Sequence, residues 1–511
     1  MQLTTVAILA LSSTIGLGLF ALSTRHGAGL QVDSVTYVSA ARVLASRPLA
    51  FYRLSRSGVI GQFDHFPPFY SLILAGTAWL GWDVIDGARV VNALLLLLTI
   101  FLLFALLSRH TSLHMAAVAP LGLVMLGGFV LTCFAWVMSD GLFLVLVLLI
   151  LILLDSIFSM RDISYSRWVA TVILGILVAL SILTRLVGIG VFGFTVLSFV
   201  LFDQRDRWRS AALVGIPTVI LTAPWFMSRI SGSRIGDRPI LFHPPTAVEL
   251  IKMGEHLGTW LLPERLAQPT WLLTLALCTL GLALSTVTVW KQAHHSGGEG
   301  NRFTASLCLF IVCYSVTVIV AHLTVDAAIP FDRRMFAPVA MCMVVLGALG
   351  ADRLSHRLFA GGRLRVALLP VVVTLLLGAA LRTGRETFSA FTDGLGYASP
   401  SWRASASLAF LKQLPTTSLV YSNASDVAYL LLGRSTIPEP KDTRRLIGRA
   451  VVSWDYDLQL AEMYRRLARD HGFLLYVDAS QRSTDPPLDT ILALGSFSQM
   501  PLADGLVLTP R

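Results

Sequence analysis

The chain has 511 residues, of which 55% are hydrophobic and only 14% charged, with a formal net charge of +10 and a mean hydropathy of +0.71. Soluble domains carry about 25% charge, so a water-soluble globular protein is excluded and the bilayer is the solvent in which the fold has to be argued. Many of the 40 Lys and Arg residues lie in loops between apolar runs, so the net charge does not by itself point to nucleic acid.

Apolar runs long enough to cross about 30 Å of hydrocarbon recur through the first three quarters of the sequence, and each must be helical to satisfy its own backbone. The pattern predicts helices at 4–23, 88–107, 115–135, 141–157, 168–184, 186–202, 211–226, 271–289, 303–322, 334–350 and 365–382. The first run lacks the positive start and small-residue cleavage site of a signal peptide, and is expected to be retained. This set places Arg109, then Arg161 and Arg167, then Arg205, Arg207 and Arg209, then Lys291 and Arg302, then Arg353, Arg357, Arg363 and Arg365 on one side. That asymmetry is the positive-inside rule. It predicts a cytoplasmic N-terminus and, from the odd count, an outer C-terminus. The apolar stretch from Pro68 to Trp82 is short for a span and is expected to be a half-buried outer helix. Cys133, Cys278, Cys308, Cys313 and Cys342 all lie in or beside apolar runs without disulfide or zinc spacing, and are assigned no chemistry.

Beyond Thr383 the long apolar runs stop. Strand-like pieces at Ser418–Tyr421, Gly472–Val477 and Gly505–Leu508 alternate with helical patterns such as Leu458–Arg469. The expected organisation is a transmembrane module over 1–382 and a small extracytoplasmic α/β domain over 383–511. Asn423-Ala424-Ser425 has the form of a glycan acceptor.

Charged residues at the outer helix ends are the candidates for chemistry, since charge at such depth is expensive and usually functional. Asp33 and Tyr37 lie one helical turn apart just after the first span. As a simple cap Asp33 would only satisfy free N–H groups; at the membrane surface its carboxylate can also take a proton from an incoming hydroxyl or amine. His65 precedes Phe66-Pro67-Pro68-Phe69-Tyr70, where paired prolines fix an extended approach to the next helix. Asp140 in Ser139-Asp140-Gly141-Leu142-Phe143 either caps its helix or faces a site, and Arg185 in Leu183-Thr184-Arg185 either snorkels outward or faces the same site. Arg333 and Arg334, beside Asp332, are outer cations that oppose the topological bias. They read as phosphate ligands or as an ion-paired tether.

Taken in order, these motifs resemble the membrane glycosyltransferases of the GT-C class that use polyprenyl-phosphate sugars, in particular bacterial relatives of protein O-mannosyltransferases and of the lipid A aminoarabinose transferase. The resemblance rests on Asp33 with Tyr37, Pro67-Pro68-Phe69-Tyr70, Ala88-Arg89-Val90-Val91-Asn92, Ser139-Asp140-Gly141-Leu142-Phe143, Leu183-Thr184-Arg185 and Arg334-Met335-Phe336-Ala337-Pro338. It covers residues 1 to about 350. The chain departs from the pattern at Ser34, where many relatives carry a second acidic residue, and at His65-Phe66, where many carry a lysine before the prolines.

The resemblance implies inverting transfer of a hexosyl or pentosyl sugar from a polyprenyl-phosphate donor to a glycan, lipid or protein acceptor outside the cytoplasmic membrane. Asp33 would be the base, Asp140 would orient the acceptor or a divalent cation, and Arg185, Arg333, Arg334 and His65 would meet the phosphate. A flippase for lipid-linked sugars is the competing expectation. Such transporters place charge near the midplane on broken helices within repeated halves, whereas here charge sits at helix ends and no repeat is visible. A catalytically dead scaffold is a third reading, against which the intact Asp33 argues.

Overall fold

A computed structural model of the chain describes residues 3–47, 66–126, 128–160, 165–203, 206–227, 244–260, 264–294, 299–324, 332–358, 362–440, 456–481 and 485–511, with short pieces between 230 and 262. It divides into two compact units, residues 1–28 with 36–392, and residues 29–35 with 393–511.

The first unit is helical: α1 (Leu3–Ser23), α2 (Val32–Ser46), α3 (Phe69–Trp79), α4 (Val84–Leu107), α5 (Leu113–Met125), α6 (Phe129–Phe134), α7 (Asp140–Ser159), α8 (Tyr165–Ile182), α9 (Gly188–Phe202), α10 (Arg207–Met227), α11 (Ala247–Gly258), α12 (Glu264–Ala267), α13 (Trp271–His294), α14 (Glu299–Thr324), α15 (Arg333–Leu358) and α16 (Gly362–Asp393). Three two-residue strands, β1 (Ile230–Ser231), β2 (Arg234–Ile235) and β3 (Arg238–Pro239), form an antiparallel ribbon. Among the described residues eight helices are long and apolar enough to span a membrane: α1, α4, α7, α8, α10, α13, α14 and α15. The chain is a multi-pass membrane protein.

Each of the eleven predicted helices has a counterpart, with one correction. The helix expected over 115–135 is two pieces, α5 and α6, separated at Gly128, which adopts φ 77°. The break is stabilised from outside the segment. The Thr383 hydroxyl of α16 accepts from the Gly128 amide at 3.1 Å and lies 3.1 Å from the Met125 carbonyl. A Cβ on Gly128 would collide with the Glu386 carboxylate. The apolar run around Gly127-Gly128 reads as one span because the partner that breaks it lies about 255 residues away.

Small residues set the helix packing, as expected where lipid supplies no hydrophobic drive between helices. On α1 the buried positions Thr5, Leu9, Ser12, Gly16, Phe20 and Ser23 follow helical spacing and make one seam. That helix packs on α5 and α4. Gly175 of α8 lets α10 approach closely: a Cβ there would stand 2.6 Å from the Val214 carbonyl oxygen and from Pro217. Thr218 Oγ1 then donates to the Gly175 carbonyl at 2.9 Å. Opposite the predicted site end, Arg167 is buried at the start of α8 and bound to Asp203 at 2.5 Å. This cation, counted as loop charge in the sequence, is neutralised inside the helical unit.

The second unit is α/β. Its strands β4 (Val420–Ser422), β5 (Ile437–Pro438), β6 (Phe473–Val477), β7 (Phe497–Leu502) and β8 (Gly505–Pro510) form one sheet in the order β5-β4-β6-β8-β7. The β4 pairs are parallel and those of β8 antiparallel. Helices α17 (Pro400–Arg403), α18 (Ala406–Gln413), α19 (Ser425–Leu432), α20 (Tyr456–Arg469) and α21 (Leu488–Leu492) complete the unit. Apolar cores contain Leu460, Met463 and Leu474 in one cluster, and Leu411, Val427 and Leu475 in the other. Residues 29–35 join this unit through a parallel bridge from Leu30 to Gly396. Asn423, the first residue of the Asn-Ala-Ser triplet, directly follows β4. It is buried, and its side-chain amide both donates to and accepts from the Val477 backbone at 2.9 Å.

Candidate functional site

The helical unit gathers several of the sequence-selected residues at the N-terminal end of α7. Ser139 is the N-cap residue and Asp140 the first residue of the helix. The Asp140 carboxylate, 3% exposed, is ion-paired with the Arg185 guanidinium. The two side chains thus share one largely buried location.

Arg185 is aimed by the tight turn between α8 and α9. Its amide donates to Ser181 and its carbonyl accepts from Gly188. Gly188 lies so close to Ser181 that a Cβ would stand 2.7 Å from the Ser181 carbonyl. A second guanidinium nitrogen of Arg185 reaches the Met335 sulfur at 3.0 Å. Arg334 reaches the Met138 sulfur at 2.9 Å. These residues from α7, the α8–α9 turn and α15 form one cluster. Thioether sulfur is a weak acceptor, so phosphate oxygen would be a stronger partner for either guanidinium.

Aromatic groups line the cluster. The Tyr37 hydroxyl is 2.9 Å from Ser139 Oγ, and its ring stacks on Phe66 and meets Tyr70 edge-on, both at 5.2 Å between centroids. Tyr70 follows the proline pair at the start of α3, where the Phe69 amide donates to the Leu183 carbonyl at 2.8 Å. The same loop that carries Arg185 is thus fastened to the proline turn.

Three contributors were not assigned roles in the sequence. Asn92 accepts from Tyr70 Oη at 3.1 Å and donates to the carbonyls of Phe134 and Trp136 at 3.0 and 2.7 Å. Its signal was an amide inside an otherwise apolar span. Tyr314, also within a span, donates to the Met335 carbonyl at 2.8 Å. Glu386 binds Arg333 at 3.1 Å and Arg382 at 2.9 Å. Its signal was the Arg382 to Glu386 spacing of one helical turn.

Arg333 and Arg334, adjacent in sequence, therefore make different contacts: Arg333 meets Glu386, whereas Arg334 meets Met138. Asp332 caps α15 by accepting from the Met335 amide at 2.9 Å. Asp33 is half-buried in the first turn of α2 and falls in the segment that clusters with the second unit. His65 lies outside the described residues. Among the described residues no three His, Cys, Asp or Glu side chains converge to hold a metal ion.

Long apolar helices followed by a terminal α/β unit define the architecture of a polytopic membrane protein. The chain shares that fold with ArnT from Cupriavidus metallidurans bound to undecaprenyl phosphate, with a TM-score of 0.54 and 15% identity over 98% of this chain and 97% of that one. It is also similar to the Archaeoglobus fulgidus oligosaccharyltransferase in the apo form, with a TM-score of 0.59 and 11% identity over 99% of this chain and 74% of that one. The archaeal oligosaccharyltransferase AglB from Archaeoglobus fulgidus, in complex with an inhibitory peptide and a dolichol-phosphate, matches with a TM-score of 0.55 and 12% identity over 93% and 69% of the two chains. No family model matches the sequence, and no curated protein matches it.

Proposed function

We propose that the protein transfers a hexosyl or pentosyl group from a polyprenyl-phosphate donor to a glycan, lipid or protein acceptor, with inversion, on the outer face of the cytoplasmic membrane. In this reading the N-terminus is cytoplasmic and the α/β unit extracytoplasmic. Asp33 takes the proton of the acceptor hydroxyl or amine, the acceptor atom bonds to the anomeric carbon, and the bond from that carbon to the phosphate oxygen breaks. The leaving polyprenyl phosphate gains negative charge as it departs. Preplaced cations favour that state more than the ground state, which is where catalytic stabilisation arises. In this reading Arg185 and Arg334 take that role, with Arg333 and His65 as further phosphate ligands, and Asp140 orients Arg185.

The observation that carries this reading is the buried Arg185 guanidinium, which spends its hydrogen bonds on one carboxylate and one sulfur within a fold shared end to end with a protein solved on undecaprenyl phosphate. The test is binding of undecaprenyl phosphate to the purified protein and its variants. Arg185→Lys keeps the charge but loses the planar fork and is expected to weaken binding in part, and Arg185→Ala severely. Arg334→Ala, which leaves the Asp140 pair intact, supplies a second reading. Parental affinity in both alanine variants would overturn the phosphate assignment.

A further inference from the structure

A cavity of about 650 Å³ lies between the ends of α4, α7 and α14, and contains none of the residues discussed above as the candidate site. Asp155 on its wall follows Asp140 along α7 by roughly 22 Å at ~1.5 Å per residue, so the two sites occupy opposite ends of one helix. Its size is that of a small-molecule site, typically ~300–1,000 Å³.

The charges in it do not balance. Asp155 is shared by Arg109 at 3.5 Å and His110 at 3.1 Å. The remaining cation, Arg302, touches the Phe158 carbonyl at 3.4 Å and lies 5.9 Å from the Phe158 ring. It meets no carboxylate among the described residues. The Ser306 hydroxyl on the same wall is buried and has no hydrogen-bond partner among the described residues. The cavity therefore offers two guanidinium groups against one carboxylate, together with an unanswered hydroxyl.

Its other wall is apolar: Leu151 and Leu154 line it deeper along α7. A cationic mouth at a helix end with an aliphatic wall behind it matches a group whose phosphate sits at the membrane surface and whose hydrocarbon continues inward. Basic pockets between spans are how anionic head groups are held.

We propose that this cavity binds the phosphate of an anionic membrane lipid, with Arg302 as the principal ligand and Arg109 as the second. The site is independent of the proposed donor site at the other end of α7. The lipid's phosphate chemistry is shared with free phosphate, and the experiment separates the two. Full-length protein in mild detergent is titrated with phosphatidylglycerol, phosphatidylcholine or inorganic phosphate, and bound lipid is read by native mass spectrometry.

Phosphatidylglycerol is expected to be retained in preference to phosphatidylcholine and to resist competition by inorganic phosphate. Arg302→Gln should lower its retention about tenfold or more, the effect of losing one charge-assisted hydrogen bond. Arg302→Lys should restore part of it, which a merely misfolded variant would not. Displacement by inorganic phosphate would overturn the lipid assignment. Equal retention of phosphatidylglycerol by the parent and Arg302→Gln would overturn the site.

Discussion

Asn92 commits its whole side-chain amide inside the helical unit, to Tyr70 on one side and to the Phe134 and Trp136 carbonyls on the other. Removing it takes a partner from Tyr70 Oη and from the buried Phe134 carbonyl, while the Trp136 carbonyl keeps its bond from the Met138 amide; a buried polar group left unsatisfied costs about 1–3 kcal/mol. Asn92→Ala should therefore lower stability by at least ~1 kcal/mol in detergent unfolding. An unchanged melting profile would show that the carbonyls find other partners. Asp140 and Arg185 allow a sharper test, because breaking a buried ion pair costs about 3–5 kcal/mol while replacing both partners by apolar groups is often neutral. The double variant Asp140→Leu/Arg185→Met is expected to be more stable than Asp140→Leu alone, although inactive in transfer. Additive losses would place the two groups in separate environments. Both residues were legible in the sequence as costly charges at helix ends, but their pairing was not, since it depends on the α8–α9 turn meeting the start of α7. Asn92 was visible within a motif and carried no role there, because a lone amide does not reveal which carbonyls it will meet.

The helices follow from hydropathy because a bilayer leaves the backbone no alternative. Their interruptions follow from distant partners. The α5–α6 break is fixed by Thr383 and bordered by Glu386, both on α16, and a window read along 115–135 contains neither. Within the α/β unit, the element signals were short strands bounded by turns, and the order β5-β4-β6-β8-β7 was invisible because register depends on side chains meeting across the sheet. One carboxyl there makes a prediction. Glu439, immediately after β5, is buried, and desolvation followed by the negative charge of Asp485 pushes it up to about 8 from an ordinary 4.5. The folded chain then holds a proton that the unfolded chain has released. Its stability contribution is complete below about 4.5, declines as pH rises, and is exhausted above about 8. Hydrogen exchange of β4 and β6 amides in the full-length protein, corrected for intrinsic rates, should show protection falling from pH 5 to 8. Glu439→Gln should flatten that dependence, and a slope that persists in the variant would assign it to another group.

At the scale of the molecule, 15% identity to ArnT with 98% of the chain aligned means that the architecture is shared while most side chains are not. A fold of this kind is specified by where apolar runs fall, and for that reason the fold was legible from the sequence further than the chemistry. The split of the chain at residues 29–35 was not, because a short segment's backbone bridge to Gly396 leaves no mark in its composition. The central claim, transfer of a sugar off its lipid carrier, is tested most directly in proteoliposomes. Purified protein is combined with radiolabelled polyprenyl-phosphate sugars and an envelope acceptor extract, and the label is followed by phase partition. Label is expected to leave the polyprenyl carrier for the acceptor fraction, and this transfer is expected to stop in Asp33→Asn while the protein remains folded. Label that stays on the carrier and merely changes leaflet would contradict it and identify a flippase.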